Sequence, residues 1–257
     1  MSFLSSLFFG MAQGVKSSPD AKLEGAEITW LGHASFQLKS PQGKDILIDP
    51  WLENPKAPES AKDIDGADVI VLTHGHFDHI GNTAELAKNS GAKVISIFEV
   101  AQYLGGQGVD EDQLIGMNIS GTVELEGMKF TMVPAIHSGG ITSDNGIVPG
   151  GNPAGFIIEL ENGYKVYHTG DTGFFTDLKW IGDYYNPDLL LICIGDHFTM
   201  GPDTAAESIV LIDPEYVIPM HYGTFPLLTG TPEALKERLP ERYRKLVLDV
   251  QPGDTVK

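Results

Sequence analysis

Short apolar stretches alternate with polar turns along most of the chain. Each stretch is rich in β-branched or aliphatic residues and is bounded by Gly, Pro, Asn or Asp, a pattern typical of β-strands. The predicted strands cover residues 26–31, 35–39, 45–49, 68–73, 93–97, 121–125, 128–133, 154–160, 164–168, 188–194, 215–219 and 245–249. Helical periodicity predicts helices over residues 82–90, 98–105, 174–182, 203–212 and 231–239. We therefore expect an α/β (α+β) fold of mixed sheets with helices on their outer faces.

The spacing of these elements also predicts the domain organisation. No internal repeat and no linker divides the chain after residue 25, so we expect residues 26–257 to form one domain behind an N-terminal tail, residues 1–25. Two long segments, 50–66 and 138–153, have no predicted element over most of their length and directly follow candidate site residues. Loops of this length in a compact domain are commonly functional.

The N-terminal tail contains a short amphipathic pattern. Apolar residues within 3–11 fall on one helical face, but the first basic residue is Lys16, so the positive region of a secretory signal is missing. No run reaches the roughly 18 apolar residues of a membrane span. We favour a tail or packed helix and a cytoplasmic location. Membrane contact through residues 3–11 and an atypical export signal stay open.

Composition and charge narrow the partners. The chain has 17 Lys and Arg against 35 Asp and Glu, a formal charge of -18, which repels the phosphates of a long nucleic acid. Its one cysteine, Cys193, lies in an apolar run, so no intrachain disulfide can form. We expect a small-molecule substrate and no nucleic-acid partner, and the sequence does not indicate an oligomeric state.

Histidines and aspartates follow the ends of several predicted strands. In open α/β sheets, the carboxyl ends of the strands form the ligand crevice, so all eight histidines are candidates to converge on one rim. The residues at or just beyond strand ends are His33, His74, His137, His168, Asp171, Asp196, His197 and His221.

The strongest signal is the run from His74 to His79, which reads His-Gly-His-Phe-Asp-His. A chance occurrence of this pattern is expected on the order of once in a thousand such chains. On a tight loop, His74 and His76 can point to one metal position while Asp78 and His79 point to a second one nearby. Gly75 is expected to relieve crowding where the backbone approaches the metal.

Four donors cannot saturate two metal ions, so the remaining ligands must come from elsewhere in the chain. The available donors at later strand ends are His137, Asp171 and His221.

Seven segments together resemble the metallo-β-lactamase superfamily, and within it the ascorbate-phosphate-lactonase-like branch of metal-dependent hydrolases. A likeness to N-acylphosphatidylethanolamine phospholipase D is more distant. The segments are residues 32–35, 48–50, 73–79, 135–138, 168–172, 195–200 and 219–223. The resemblance implies a four-layer αββα sandwich with the metal ions at the edge between two sheets.

The resemblance also implies roles for individual residues. His74, His76 and His137 would bind the first metal ion, Asp78, His79 and His221 would bind the second, and Asp171 would bridge them. Asp49 matches a family aspartate, and we expect it to support a ligand histidine. The remaining candidates for substrate contact, proton donation or a structural role are His33, His168, Asp196 and His197.

The nitrogen and oxygen donors suit Zn²⁺ first and Mn²⁺ second, and they also accept Fe²⁺, Co²⁺ or Ni²⁺. Two ions about 3.5–4 Å apart lower the pKa of a bridging water, and the resulting hydroxide is the expected nucleophile. Asp78 is expected to accept its proton or pass it to the leaving group. We therefore expect cleavage of an ester-type bond, either a phosphodiester or a lactone.

Several other functions fit the sequence less well. Residues 32–36 lack the Gly-x-Ser-x-Gly elbow of a serine hydrolase. A diiron oxidoreductase of this fold would have glutamate at position 76 and an attached flavin domain. A nuclease is disfavoured by the charge and by the lack of an inserted domain, and a glyoxalase-like thioesterase by the short C-terminal segment. A binding module without activity would have lost ligands.

Overall fold

Short strands with buried apolar side chains build two main β-sheets. The computed structural model describes residues 22–144 and 146–257. The strands are β1 (Glu27–Trp30), β2 (Phe36–Lys39), β3 (Asp45–Ile48), β4 (Val69–Val71), β5 (Lys93–Ile97), β6 (Leu114–Met117), β7 (Thr122–Leu125), β8 (Met128–Pro134), β9 (Ile141–Ser143), β10 (Gly146–Val148), β11 (Ala154–Glu159), β12 (Lys165–His168), β13 (Leu189–Cys193), β14 (Tyr216–Met220) and β15 (Thr255–Val256).

Helices connect many of these strands. The α-helices are α1 (Phe77–Ile80), α2 (Thr83–Ser90), α3 (Phe98–Gly106), α4 (Leu178–Tyr185), α5 (Pro202–Ile212), α6 (Pro232–Arg238) and α7 (Glu241–Arg244). Two short 3-10 helices span Glu59–Asp63 and Glu111–Gln113.

The first sheet has the strand order β15-β1-β2-β3-β4-β5-β6, and the second has the order β14-β13-β12-β11-β8-β7. Each sheet is mixed. The first is antiparallel from β15 to β3 and parallel from β3 to β6. The second is parallel over β12, β13 and β14 and antiparallel elsewhere. The predicted mixed α/β fold class, with two sheets and helices, is therefore confirmed.

Burial follows the position of each strand in its sheet. All five residues of β13 are buried, as expected for a parallel strand that is covered on both faces. The edge strand β7 instead alternates exposed and half-buried residues. Buried side chains from both sheets belong to one continuous hydrophobic cluster, which includes Phe36, Val71, Phe156 and Leu191.

The structure corrects several predicted elements. Residues 245–249 form no strand, and only Val247 makes an isolated bridge, to Val217. The helix predicted over 174–182 begins only at Leu178, with Asp177 as its N-cap residue and a turn at residues 176–177 before it. Strands β6, β9, β10 and β15 were not predicted. The segment 138–153 contains the β9–β10 hairpin, and the segment 50–66 contains the first 3-10 helix.

The predictions for residues 3–11 concern a segment outside the described residues. Among residues 22–144 and 146–257, no helix has both the length and the apolar character needed to span a membrane.

Candidate metal centre

Backbone turns in the left-handed region present several of the predicted site residues. His33, Asp49 and His221 have φ values of 54°, 45° and 56°, and Asp196 and His197 have values of 67° and 59°. Such conformations cost on the order of 1 kcal/mol or more at non-glycine positions and are concentrated at functional sites. Two of these turns support each other, because the His221 N–H donates a 2.9 Å hydrogen bond to the His33 carbonyl.

The run from His74 to His79 leaves strand β4 and enters the single-turn helix α1. His76 is the residue before the helix, and Asp78 and His79 are buried within it. Gly81 ends the helix with a φ of 37°, and a Cβ there would lie 2.5 Å from the Pro50 carbonyl oxygen. The turn must therefore keep glycine to close against the segment after β3.

Gly75 is crowded by a segment that is distant in the sequence. A Cβ at Gly75 would lie 2.4 Å from Cγ1 of Ile141, the first residue of β9. The crowding at this position therefore comes from the β9–β10 hairpin.

Three histidines form the first donor group. The Nε2 atom of His74 lies 2.9 Å from Nδ1 of His76, and His137 completes a set whose donor atoms all lie within 4.8 Å of one another. Nε2 of His76 lies 3.3 Å from the Ser138 hydroxyl. His74 is fully buried, whereas His76 and His137 are partly exposed, so this group faces the solvent side of the site.

Asp78, His79 and His221 form the second donor group, together with His33. Oδ2 of Asp78 lies 4.0 Å from Nε2 of His79 and 3.9 Å from Nε2 of His221. The same oxygen lies 2.9 Å from Nε2 of His33. The structure thus brings these donors together in two groups, and His33 is an additional member of the second group.

Asp171 lies between the two groups. Its Oδ2 is 3.0 Å from Nε2 of His221 and 3.3 Å from Nε2 of His79, both in the second group. It is also 3.6 Å from Nε2 of His137 in the first group. A single carboxylate is therefore within reach of both groups.

Unpaired buried atoms test whether these residues fit metal ions. Among the described residues, His79 Nε2, Asp171 Oδ1 and both ring nitrogens of His221 are buried without a hydrogen-bond partner. Nε2 of His221 lies 3.0 Å from Oδ2 of Asp171. Buried polar atoms without partners are costly, and a cation that accepts lone pairs from the Nε2 atoms of the two histidines and from the Asp171 carboxylate removes much of that cost. The donor set therefore fits divalent metal ions.

Burial and neighbouring charges shift the pKa of several buried groups. Burial alone would raise the pKa of Asp171, but its charge interactions with the His221 and His79 side chains hold it well below its usual value. Burial, followed by the charge of His79, holds the pKa of His74 well below that of an exposed histidine. His74 is therefore neutral, as a metal ligand must be.

Asp49 contacts the ring nitrogen of His79 that does not face Asp171. Its Oδ2 accepts a 2.7 Å hydrogen bond from the Thr73 hydroxyl and lies 2.7 Å from Nδ1 of His79. Its Oδ1 accepts a 2.8 Å bond from the Thr73 backbone N–H. This arrangement places the His79 proton on Nδ1 and leaves Nε2 directed at Asp171. Asp49 thus lies where the sequence predicted support for a ligand histidine.

His33 is held between two side chains. Its Nδ1 lies 2.9 Å from the Thr224 hydroxyl, and the centroid of its ring lies 4.0 Å from that of the His221 ring. Burial and the charge of His221 lower the pKa of His33 to about 4. With Thr224 donating to Nδ1, the neutral imidazole carries its proton on Nε2 and donates it to Asp78.

Three of the remaining candidates lie apart from this cluster. His168 is buried, and its ring nitrogens pair with the Ala34 carbonyl at 2.9 Å and the Gly170 N–H at 3.0 Å. Asp196 and His197 are exposed, and the Asp196 carboxylate accepts a bond from the His197 N–H. The histidines in the donor groups are therefore His33, His74, His76, His79, His137 and His221, and His168 and His197 are not among them.

An open cavity of about 770 Å³ lies over the donor groups, and His76, Asp78, His137, Asp171 and His221 form part of its wall. The sequence did not mark its other walls, which combine two polar side chains with a larger apolar set. These residues are Phe77, Ser138, Thr142, Phe198, Phe225, Pro226 and Leu227. Thr73 and Thr224 were also missed, and their positions beside His74 and close after His221 were the available signals.

Comparisons with known proteins agree with this geometry. Residues 44–222 match the family described as the beta-lactamase superfamily domain. The chain belongs to the metallo-β-lactamase superfamily. A UPF0173 metal-dependent hydrolase from Methanopyrus kandleri is 48% identical over 230 residues, covering 89% of this chain and 98% of the relative. A second one, from Roseiflexus, is 45% identical over 234 residues and covers 89% and 96%.

A solved structure of a metallo hydrolase has a similar fold. Igni18, a metallo hydrolase from Ignicoccus hospitalis, superposes with a TM-score of 0.78 at 36% identity and covers 90% of this chain and 97% of its own. Within the metallo-β-lactamase superfamily, the chain is therefore a metal-dependent hydrolase.

Proposed function

We propose that this protein holds two divalent metal ions and hydrolyses an ester-type bond, a phosphodiester or a lactone, in a small molecule. The observation that carries the proposal is Asp171, whose Oδ2 lies within 3.6 Å of donors from both groups. With a single ion, one of the two donor groups would bind no metal, although both groups line the cavity.

Each ion has its own protein donors. His74, His76 and His137 would hold the first ion, Asp78, His79 and His221 the second, and Asp171 would contact both. When bound, such a pair activates a water for attack and polarises the oxygen of the bond that is cleaved. Nitrogen and oxygen donors favour zinc, with manganese or iron as alternatives. Cys193 is no competing donor, because it is buried and burial raises its pKa to about 11.

Asp78 is the proton acceptor in this proposal. It lines the cavity, and its side chain is 12% exposed, so it can meet a substrate. Burial favours its neutral form, but the hydrogen bond from His33 and the charge of His79 lower its pKa to about 2. Asp78 is therefore ionised at neutral pH, and the His33 contact fixes the direction of its oxygen. It can take a proton from the attacking water and pass it to the leaving group.

The cavity supports a small-molecule substrate. A volume of about 770 Å³ lies within the usual range for small-ligand sites. The alternative of a diiron oxidoreductase is disfavoured, because His76 stands where that branch has glutamate and its ring contributes to the first donor group.

Elemental analysis of the Asp171→Ala variant tests the proposal. We expect two tightly bound ions per chain in the unaltered protein and one or fewer in the variant, because the shared donor is removed. We also expect loss of turnover by roughly a hundredfold or more. The matched control is Asp196→Ala, an exposed aspartate outside the donor groups, and it should retain both ions. Fewer than one tightly bound ion in the unaltered protein would refute the dinuclear site.

A further inference from the structure

We propose that the cavity selects neutral lactones or esters with an apolar chain and discriminates against anionic substrates, including phosphodiesters. This inference rests on the proposed function, because it concerns the substrate that the same metal centre would cleave. In a lactone, the water oxygen would bond to the carbonyl carbon while the ring C–O bond breaks. The ring oxygen would take the proton, and the product would be a hydroxy acid.

The first support is the apolar wall of the cavity. Phe77, Phe198 and Leu227 line it, and their exposed fractions are 56%, 51% and 52%. Large apolar side chains that stay exposed together around a concave site commonly mark a surface that a ligand covers. Because this wall continues directly from the donor groups, a chain attached to the reacting carbonyl would lie against it.

The second support is that part of this wall is held in place. Trp51 packs edge-on against Phe77 at 5.6 Å and stacks with Phe225 at 5.9 Å, measured between ring centroids. Phe225 in turn packs edge-on against His33 at 5.7 Å. Aromatic pairs at these separations restrain one another. The wall is therefore connected to the donor groups through His33.

The third support is the charge of the lining. Among the described residues that line the cavity, none is Lys or Arg, whereas Asp78 and Asp171 contribute carboxylates. The whole chain has a formal charge of -18. Sites that bind phosphate esters usually supply guanidinium or ammonium groups for the non-reacting oxygens. Here, an anionic group away from the metal centre would meet apolar surface and no cationic side chain.

A series of lactones tests the apolar selection directly. The probes are γ-valerolactone, γ-heptalactone and γ-nonalactone, which have methyl, propyl and pentyl side chains on the same ring. Each buried methylene is expected to raise kcat/KM by up to about fourfold. A lactone whose chain of equal length ends in a carboxylate is the length-matched anionic control, and bis(p-nitrophenyl) phosphate is the phosphodiester probe. Both anionic probes should be cleaved more slowly than γ-nonalactone.

Alanine variants test whether the effect is specific to the cavity wall or is shared by exposed aromatic residues elsewhere. Phe198→Ala should lower kcat/KM for γ-nonalactone by roughly three- to tenfold and leave γ-valerolactone within about twofold, because only the long chain reaches it. Phe98→Ala is the matched control, since Phe98 is 52% exposed but does not line the cavity. This variant should leave kcat/KM unchanged for both lactones.

The outcomes distinguish the two proposals. Equal rates along the lactone series, or faster cleavage of either anionic probe, would overturn the apolar selection and leave the dinuclear hydrolase standing. Equal effects of Phe198→Ala and Phe98→Ala would also overturn it. No turnover of any probe by protein that holds two ions would count against the proposed hydrolysis as well.

Discussion

His168 and Asp171 are three positions apart, yet they have different surroundings. The His168 ring is bonded on both sides by backbone groups, at Ala34 and Gly170, whereas the Asp171 carboxylate faces three histidine nitrogens. Sequence position at a strand end did not separate the two, because the direction of a side chain depends on the turn that follows. The motif from His74 to His79, by contrast, contains four candidate donors within six consecutive residues.

We expect His168→Asn to retain both metal ions and to lower the free energy of unfolding by about 1–3 kcal/mol, because a buried backbone group loses its partner. Burial lowers the pKa of His168, so the unfolded chain binds a proton there that the folded protein does not. Stability from this residue is therefore lost as pH falls below about 6.5, and the variant should show a shallower decline. Elemental analysis and urea unfolding between neutral and mildly acidic pH measure both effects. Loss of one ion would assign His168 a ligand role instead.

At the scale of elements, the β9–β10 hairpin packs against the loop that contains the metal-binding motif. The sequence marked residues 138–153 as a loop because glycines interrupt its short apolar stretches, and those stretches are too short to indicate strands alone. Ile141 is buried with an exposed fraction of 1%, and it occupies the space that a side chain at position 75 would need. The glycine at position 75 is therefore required by a contact between distant segments.

We expect Gly75→Ala to weaken metal binding at the first donor group, because the added methyl group displaces either the hairpin or the motif loop. The double variant Gly75→Ala with Ile141→Ala should regain part of the affinity, since the smaller side chain vacates that space. Competition with a chromogenic chelator measures both. Gly106→Ala is the control, because a Cβ there meets no atom within 4 Å. Additive losses in the double variant would exclude the steric explanation.

At the scale of the whole molecule, the metal centre joins the two sheets. His74 and His79 follow β4 of the first sheet, whereas His137, Asp171 and His221 follow β8, β12 and β14 of the second. Ions held by both sets of donors would link the sheets in addition to their shared hydrophobic core.

Metal removal should therefore lower global stability. A ligand that binds only the folded state stabilises it by about 2.7 kcal/mol at a free concentration of 100 times its Kd. We expect dialysis against a chelator to lower the Tm by several degrees, and we expect added Zn²⁺ to restore it. The Asp171→Ala variant is the control, and calorimetry should show a smaller change in its Tm when metal is removed. An unchanged Tm after verified removal of metal would show that the centre does not contribute to the stability of the fold.

The order of apolar and polar residues was enough to indicate the fold class, most strands and four candidate donors. Hydrophobic periodicity is local, and the motif places His74, His76, Asp78 and His79 within six consecutive residues. The resemblance to the superfamily then indicated the distant donors.

Which strand-end residues meet became clear from the three-dimensional structure. It brought His33 to Asp78, directed His168 into the backbone and left Asp196 and His197 exposed. It also assembled the apolar cavity wall from residues far apart in the chain, such as Phe77 and Leu227. These outcomes depend on turn geometry and long-range packing, which a one-dimensional pattern of polar and apolar residues does not encode.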